Sequence, residues 1–218
     1  MKKYLNIIVI GILAMTFLSC KKESFNYPPG TVGISKITYF PIITMKGEKY
    51  FIVAKGGTFT DPGATAKVGT DDSPVVVSGS VNTSVAGVYA VTYSAENADG
   101  FSATATRQVI VYDTQPDAAA RDFSGKYLRA SNSVASNWKK IGPGVYLVAN
   151  PGGAPGADGI IVVAVNPTGS VISIPPQNTD SGAWASKDES YNLAGNTYSW
   201  VVVNAGYGPA LRVFVKQI

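Results

Sequence analysis

Val88-Tyr89-Ala90-Val91-Thr92-Tyr93-Ser94-Ala95 has a period of two: Tyr89, Val91, Tyr93 and Ala95 fall on one face, and Ala90, Thr92 and Ser94 on the other. Successive side chains on opposite faces, one row apolar and the other wetter, describe a half-buried antiparallel β-strand. Asn97-Ala98-Asp99-Gly100 follows, and Asp-Gly marks a hairpin turn because glycine accepts the positive φ such turns require. The return run from Ser102 to Tyr112 alternates again, with Val109 and Val111 on one face. Shorter runs of the same character stand at Tyr50–Val53 and Val75–Val77. Beyond the N-terminal apolar run, no stretch carries a sustained 3.6-residue apolar stripe with caps. The pattern predicts an all-β chain whose first folded part is a β-sandwich.

Working outward, Thr60-Asp61-Pro62-Gly63-Ala64-Thr65-Ala66, Ser78-Gly79-Ser80-Val81-Asn82-Thr83 and Ala86-Gly87-Val88-Tyr89-Ala90-Val91-Thr92-Tyr93 occur in that order. Ala98-Asp99-Gly100 and Arg107-Gln108-Val109-Ile110-Val111 close the series. Residues 36–113 thereby resemble the bacterial Ig-like domain of cell-surface lipoproteins and some pesticidal crystal proteins. The resemblance implies a spacer or adhesion module and carries no catalytic residues with it. Asp61-Pro62-Gly63 has a local reading of its own, a bend at a strand edge.

Periodicity lapses from Asp113 to Arg121, through Pro116 and three alanines, and a second β-rich stretch follows. Strand-like runs stand at Gly125–Ser131, Val134–Ile141, Val145–Asn150, Ile160–Val165, Ser170–Ile174, Ser190–Leu193, Thr197–Asn204 and Ala210–Lys216. Gly142-Pro143-Gly144, Asn166-Pro167-Thr168-Gly169 and Gly195-Asn196 supply turns between them. The expected organisation is an Ig-like sandwich at 34–115 and, at 118–218, a second antiparallel sandwich or barrel. Asp122-Phe123-Ser124-Gly125-Lys126-Tyr127 and Gly142-Pro143-Gly144-Val145-Tyr146 resemble the C-terminal domain that accompanies this Ig-like module in lipoproteins of Bacteroidetes-type carbohydrate-utilisation systems.

At the N-terminus, Lys2 and Lys3 precede an apolar run from Leu5 to Leu18 that ends at Leu18-Ser19-Cys20. As a helix this run reaches about 21 Å, short of a hydrocarbon core of roughly 30 Å, which fits a signal peptide over residues 1–19. Ser19-Cys20 resembles the lipobox of bacterial lipoproteins, which implies that Cys20 is acylated and anchors the chain. Two or three acyl chains hold a protein stably where one holds it marginally. Residues 20–33, polar and containing Pro28-Pro29-Gly30, read as a tether. The expected location is the bacterial outer membrane, at its cell surface or its periplasmic face.

The formal charge is +4, falling to +2 once Lys2 and Lys3 are removed, and the basic residues are scattered. Nucleic acid is therefore not an expected partner. The chain has no histidine and a single cysteine. Triad chemistry, histidine-based metal sites and intramolecular disulfides are thereby excluded. Carboxylate-pair hydrolysis has Asp122, Asp158, Asp180, Asp188 and Glu189 as its material, all in polar loop-like stretches that read as solvated charge. Asp71-Asp72 reads as a turn ahead of calcium. Gly152-Gly153-Ala154-Pro155-Gly156 lacks the Gly-Lys-Ser/Thr ending of a phosphate loop. No enzyme activity, cofactor or metal is expected.

Aromatic residues remain. Trp138, Trp184 and Trp200 all lie in the second stretch; Trp200 reads as core, while Trp184, in a Ser/Ala/Asp-rich stretch, is the expected exposed ring. Trp184, Trp138 and Tyr207, with Asp180 and Asp188 beside them to take hydroxyls, form the candidate binding set for a carbohydrate. Three classes stay open. The first is a non-catalytic glycan-binding or glycan-uptake accessory lipoprotein with a polysaccharide partner. The second is a structural or adhesion lipoprotein contacting other outer-membrane proteins, which an all-buried tryptophan set favours. The last is a hydrolase.

Overall fold

The computed structural model describes residues 27–32, 35–169 and 171–217. The expected signal peptide, Cys20 and most of the expected tether lie outside them. The chain divides into two compact units, Met1–Tyr39 and Phe40–Ile218. In the first, β1 (Thr31–Val32) and β2 (Ser35–Lys36) pair antiparallel.

The second unit opens with the expected Ig-like sandwich. One sheet runs β3 (Pro41–Met45), β5 (Ala64–Val68), β6 (Asp71–Ser73), and the other β4 (Tyr50–Ala54), β9 (Ser102–Tyr112), β8 (Gly87–Glu96), β7 (Val76–Ser78). The anticipated hairpin is β8–β9, in register from Gly87 opposite Val111 to Glu96 opposite Ser102. Asn97 fastens its turn, because Oδ1 accepts from the backbone N–H groups of Asp99 at 3.0 Å and Phe101 at 2.8 Å. β4 lies parallel to β9, while the other pairings are antiparallel. Val53, Val91, Tyr93, Val109 and Val111 fill the space between the sheets.

β9 also carries Arg107 into this core, fully buried. Its guanidinium lies 2.6 Å from Asp61, and Nε donates to the Glu48 carbonyl at 3.0 Å. The remaining terminal nitrogen donates to the Lys46 carbonyl, and the Tyr93 hydroxyl donates to Asp61. Asp61 therefore does more than mark a bend: it is the counter-ion of a buried arginine, which would otherwise be strongly destabilising.

A single helical turn, α1 (Pro116–Ala120), with Ala118 buried, occupies the stretch where periodicity lapsed. The C-terminal strands are β10 (Gly125–Arg129), β11 (Ala135–Gly142), β12 (Val145–Ala149), β13 (Ile161–Thr168), β14 (Val171–Ser173), β15 (Gln177–Thr179), β16 (Gly182–Asn192), β17 (Thr197–Val203) and β18 (Arg212–Lys216). They form one antiparallel sheet ordered β14-β13-β12-β11-β10-β18-β17-β16-β15. The sheet curls until its two ends meet. The Gln177 carboxamide accepts from Val163 N–H at 2.8 Å and donates to Val163 C=O at 2.7 Å, as a strand peptide would. Nearby, Ser186 N–H donates to Ile174 C=O at 3.0 Å. Of the two expected architectures, the second stretch adopts the barrel-like one.

Aromatic rings fill the inside of this sheet. Trp138 stacks on Trp200 with centroids 5.5 Å apart, and Tyr198 on Phe214 at 4.7 Å. Their polar ends are matched: Trp138 Nε1 donates to the Tyr198 hydroxyl at 3.0 Å, and Trp200 Nε1 to the Pro151 carbonyl at 2.9 Å.

A third apolar cluster joins the two modules. Ile110, Val145 and Val163, all fully buried, pack with Tyr50, Ile52, Val88, Tyr112, Ile141, Leu147 and Val165. The outer face of the β4-β9-β8 sheet is thus covered by the outer face of β11-β12-β13. Residues 107–111 are accordingly buried on both faces, which accounts for the unbroken Val109-Ile110-Val111 run.

Candidate functional site

Two cavities flank the tip of the β15–β16 hairpin where it leans on the sandwich. The tip is held by Gln108 Nε2 donating to the Asn178 carbonyl at 3.0 Å and by an exposed Lys49–Asp180 ion pair at 3.1 Å. On one side lies an open groove of about 670 Å³. Val88 and Ala90 of β8 form one wall; Ala183, Ala185, Val201 and Val203 of the barrel's outer face form the other. Trp184, Lys187, Asn178 and the loop Tyr207-Gly208-Pro209 complete it. On the other side is a polar hollow of about 240 Å³ with Lys49, Tyr50, Gln108, Thr179, Asp180 and Ser181 on its walls. Burial raises the Tyr50 phenol above its ordinary pKa.

The candidate set is only partly assembled here. Trp184 and Tyr207 meet edge-to-face with centroids 5.3 Å apart, and both line the groove. Asp180 borders the polar hollow instead. Trp138 is 5% exposed in the barrel core and lines neither cavity. Asp188 is exposed on β16 at φ +54°, inside a register shift between Lys187 and Ser190, and also lines neither.

The expectation that Trp184 is an exposed ring is corrected: it is 2% exposed, and its Nε1 donates to Ser181 Oγ at 3.0 Å. The physical reason is that β16 starts at Gly182 rather than Ser190, so Trp184 is an inward-facing strand residue opposite Gln177. A single exposed patch of Trp184, Trp138 and Tyr207 is therefore not formed.

Tyr207 is the half-buried ring of the groove. The Gly152 backbone packs against it so closely that a Cβ there would come within 2.1 Å of the ring. Behind it the Arg212 guanidinium sits 5.1 Å from the ring centroid. Burial raises the Tyr207 pKa, and burial followed by the charge of Arg129 lowers that of Arg212.

Groove residues that the sequence reading missed left a faint trace. Val88 is apolar on the side of β8 that alternation assigns to solvent, and Val201-Val202-Val203 is apolar on both faces. Each implied a second covered surface. Lys187, Arg129 and Arg212 gave no such sign, because their grouping depends on how the sheet curls. Among the described residues no group of three or more His, Cys, Asp or Glu side chains is placed to hold a metal ion.

Comparison with known proteins bears on the first module. The family described as "Bacterial surface protein, Ig-like domain" matches residues 43–111. Among solved structures, the lipoprotein BT2262 from Bacteroides thetaiotaomicron is similar at 22% identity, over 82% of this chain and 100% of that one, with a TM-score of 0.42. No curated protein matches. The matched segment begins within β3 and ends within β9, so it takes in both sheets of the sandwich. Residues 43–111 therefore form an Ig-like domain that matches the family of such domains described for bacterial surface proteins.

Proposed function

We propose that the chain is a lipid-anchored, non-catalytic protein of the bacterial outer membrane that works by contacting other envelope proteins. The observation that carries this reading is the burial of all three tryptophans: Trp138, Trp184 and Trp200 are 5%, 2% and 0% exposed. No indole is left as a platform for a sugar face. From residue 40 onward the exposed large apolar side chains are instead aliphatic or phenylalanine, among them Val203, Leu211 and the Phe40–Phe101 pair, whose centroids lie 5.1 Å apart; Tyr27 and Tyr39, exposed as well, lie in the first unit. Exposed apolar surface of this kind is what protein interfaces use. The lipobox-like Ser19-Cys20 and the surface-type Ig-like module support the location. The carboxylates are engaged singly rather than across a cleft: Asp180 with Lys49, Asp122 with Ser124 N–H, Glu189 with Ser186.

A second reading, weak glycan binding, draws on one observation: Tyr207 presents part of its ring to a groove that also holds Asn178 and Lys187. Two measurements separate the readings. Crosslinking on intact cells should give discrete adducts with envelope proteins while a broad glycan array stays blank. An array signal that is lost in Tyr207→Ala would overturn the contact reading in favour of the glycan. The anchor is tested by metabolic lipid labelling, which Cys20→Ala should abolish while releasing the protein from the membrane fraction.

A further inference from the structure

The groove beside β16 and β17 has no carboxylate on its walls, and its one lining cation, Lys187, has no ion-pair partner among the described residues. More positive charge stands behind the Tyr207–Pro209 wall. Arg212 donates to the Ala210 carbonyl at 2.8 Å and to the Gly208 carbonyl at 3.3 Å. Its Nε has no partner among the described residues, although the residue is only 5% exposed. Arg129 reaches the Gly152 and Gly153 carbonyls at 3.4 Å, in the turn that packs on Tyr207, and its charge acts on Arg212. Buried guanidinium groups ordinarily sit against carboxylates, as Arg107 does against Asp61. Arg212 and the partly buried Arg129 rest on backbone carbonyls instead, with no carboxylate partner among the described residues, so positive charge lies behind this end of the groove without a counter-ion.

The two facing walls are aliphatic, with the Trp184 and Tyr207 rings lining the groove beside them. Val88 belongs both to the groove and to the cluster that joins the two modules, so the groove prolongs an interface that the chain already forms. Val203 is 44% exposed, and on the same face of the adjacent strand Val213 and Val215, opposite Ser199 and Thr197, are 39% and 38% exposed. Of the polar side chains on its walls, Asn178 and Lys187 are exposed and the other two amides are engaged. The Asn204 amide is held by the Ala183 carbonyl and Gly206 N–H, and the Gln177 amide by Val163. Facing aliphatic walls, engaged amides and net positive charge fit an extended peptide better than a sugar.

We infer that this groove docks an extended acidic segment of a partner protein, with aliphatic side chains against Val88, Val201 and Val203 and carboxylates toward Lys187 and the Arg129–Arg212 end. The inference rests on the protein-contact reading above and names the chemistry of that contact.

The test takes the full chain in mild detergent as bait for random dodecapeptides displayed on phage, then measures the enriched peptide by fluorescence anisotropy. Enriched sequences should alternate aliphatic residues with Asp or Glu. Val203→Glu and Lys187→Glu, both at exposed positions, should each weaken the enriched peptide about tenfold or more, as should added salt. No enrichment, enriched peptides without acidic residues, or binding by either variant as tight as the wild type's would overturn the assignment. Polygalacturonate is the acidic-glycan arm: binding to the wild type that Val203→Glu abolishes would give the groove to a polysaccharide and overturn the peptide. If crosslinks on cells persist in Val203→Glu while no peptide is enriched, the groove is wrong and the broader contact reading stands.

Discussion

The fully buried Arg107 guanidinium lies 2.6 Å from the carboxylate of Asp61, which is itself about a quarter exposed at 26%. The two residues come from motifs 46 positions apart, and the ion pair ties the Asp61-Pro62-Gly63 bend to the last strand of the sandwich. Removing one partner leaves the other as an uncompensated charge. Asp61→Ala is therefore expected to cost about 3–5 kcal/mol, read as a shift in the urea unfolding midpoint with unchanged slope. Arg107→Met, which removes the buried charge rather than stranding it, should cost less.

Trp184→Ala should destabilise the chain by about 3–5 kcal/mol, because the indole fills the inner wall of the barrel. Differential scanning calorimetry reads this directly. A melting temperature unchanged from wild type would mean that the ring is solvated, and would restore it as a stacking platform.

The barrel's inward strand residues show where the sequence was readable and where it was not. Val88–Ala95 declared its strand because every second residue is apolar, and the Asp99-Gly100 turn declared its partner. β15 and the first half of β16 were hidden. Gln177-Asn178-Thr179 is polar throughout, and the register shift around Asp188 moves Trp184 and Tyr191 out of one continuous alternation. The groove was less legible still, since Val88, Lys187, Val203 and Tyr207 meet only after the sheet has curled and docked on the sandwich.

Tyrosine ionisation sets an upper pH limit. Burial pushes Tyr127 up to about 12; burial and the hydrogen bond to Asp61 push Tyr93 up to about 12. Both stay neutral in the folded chain when an unfolded chain would already lose those protons near pH 10. Their contribution is complete below about pH 10 and is lost as pH rises through about 12. Thermal midpoints followed by circular dichroism should hold up to about pH 10 and fall steeply above it. Phenolate absorbance from these tyrosines should grow only as the structure is lost.

Ile110 is fully buried in the cluster between the modules. Ile110→Ala should cost about 2–5 kcal/mol. Residues 34–115 and 118–218 expressed apart should each show strand-type circular dichroism and cooperative melting, with lower midpoints than the whole chain, and mixing the halves should raise both midpoints. If neither half folds alone, the Ile110–Val145–Val163 cluster is a core indispensable to both.

The seam of the barrel has a consequence for life in a crowd. An anchored protein is confined with its copies to two dimensions, where any open sheet edge meets the same edge on a neighbour over and over. In the C-terminal sheet that edge is consumed internally: the Gln177 carboxamide stands in for a neighbouring strand at Val163, and Ile174 bonds Ser186. Pro175 and Pro176, which cannot donate to a ladder, occupy the crossing between them. Anchored as proposed, copies in a dense lawn would find no open strand edge to pair with in the C-terminal sheet, and the short edge strands of the sandwich would be left for such contacts.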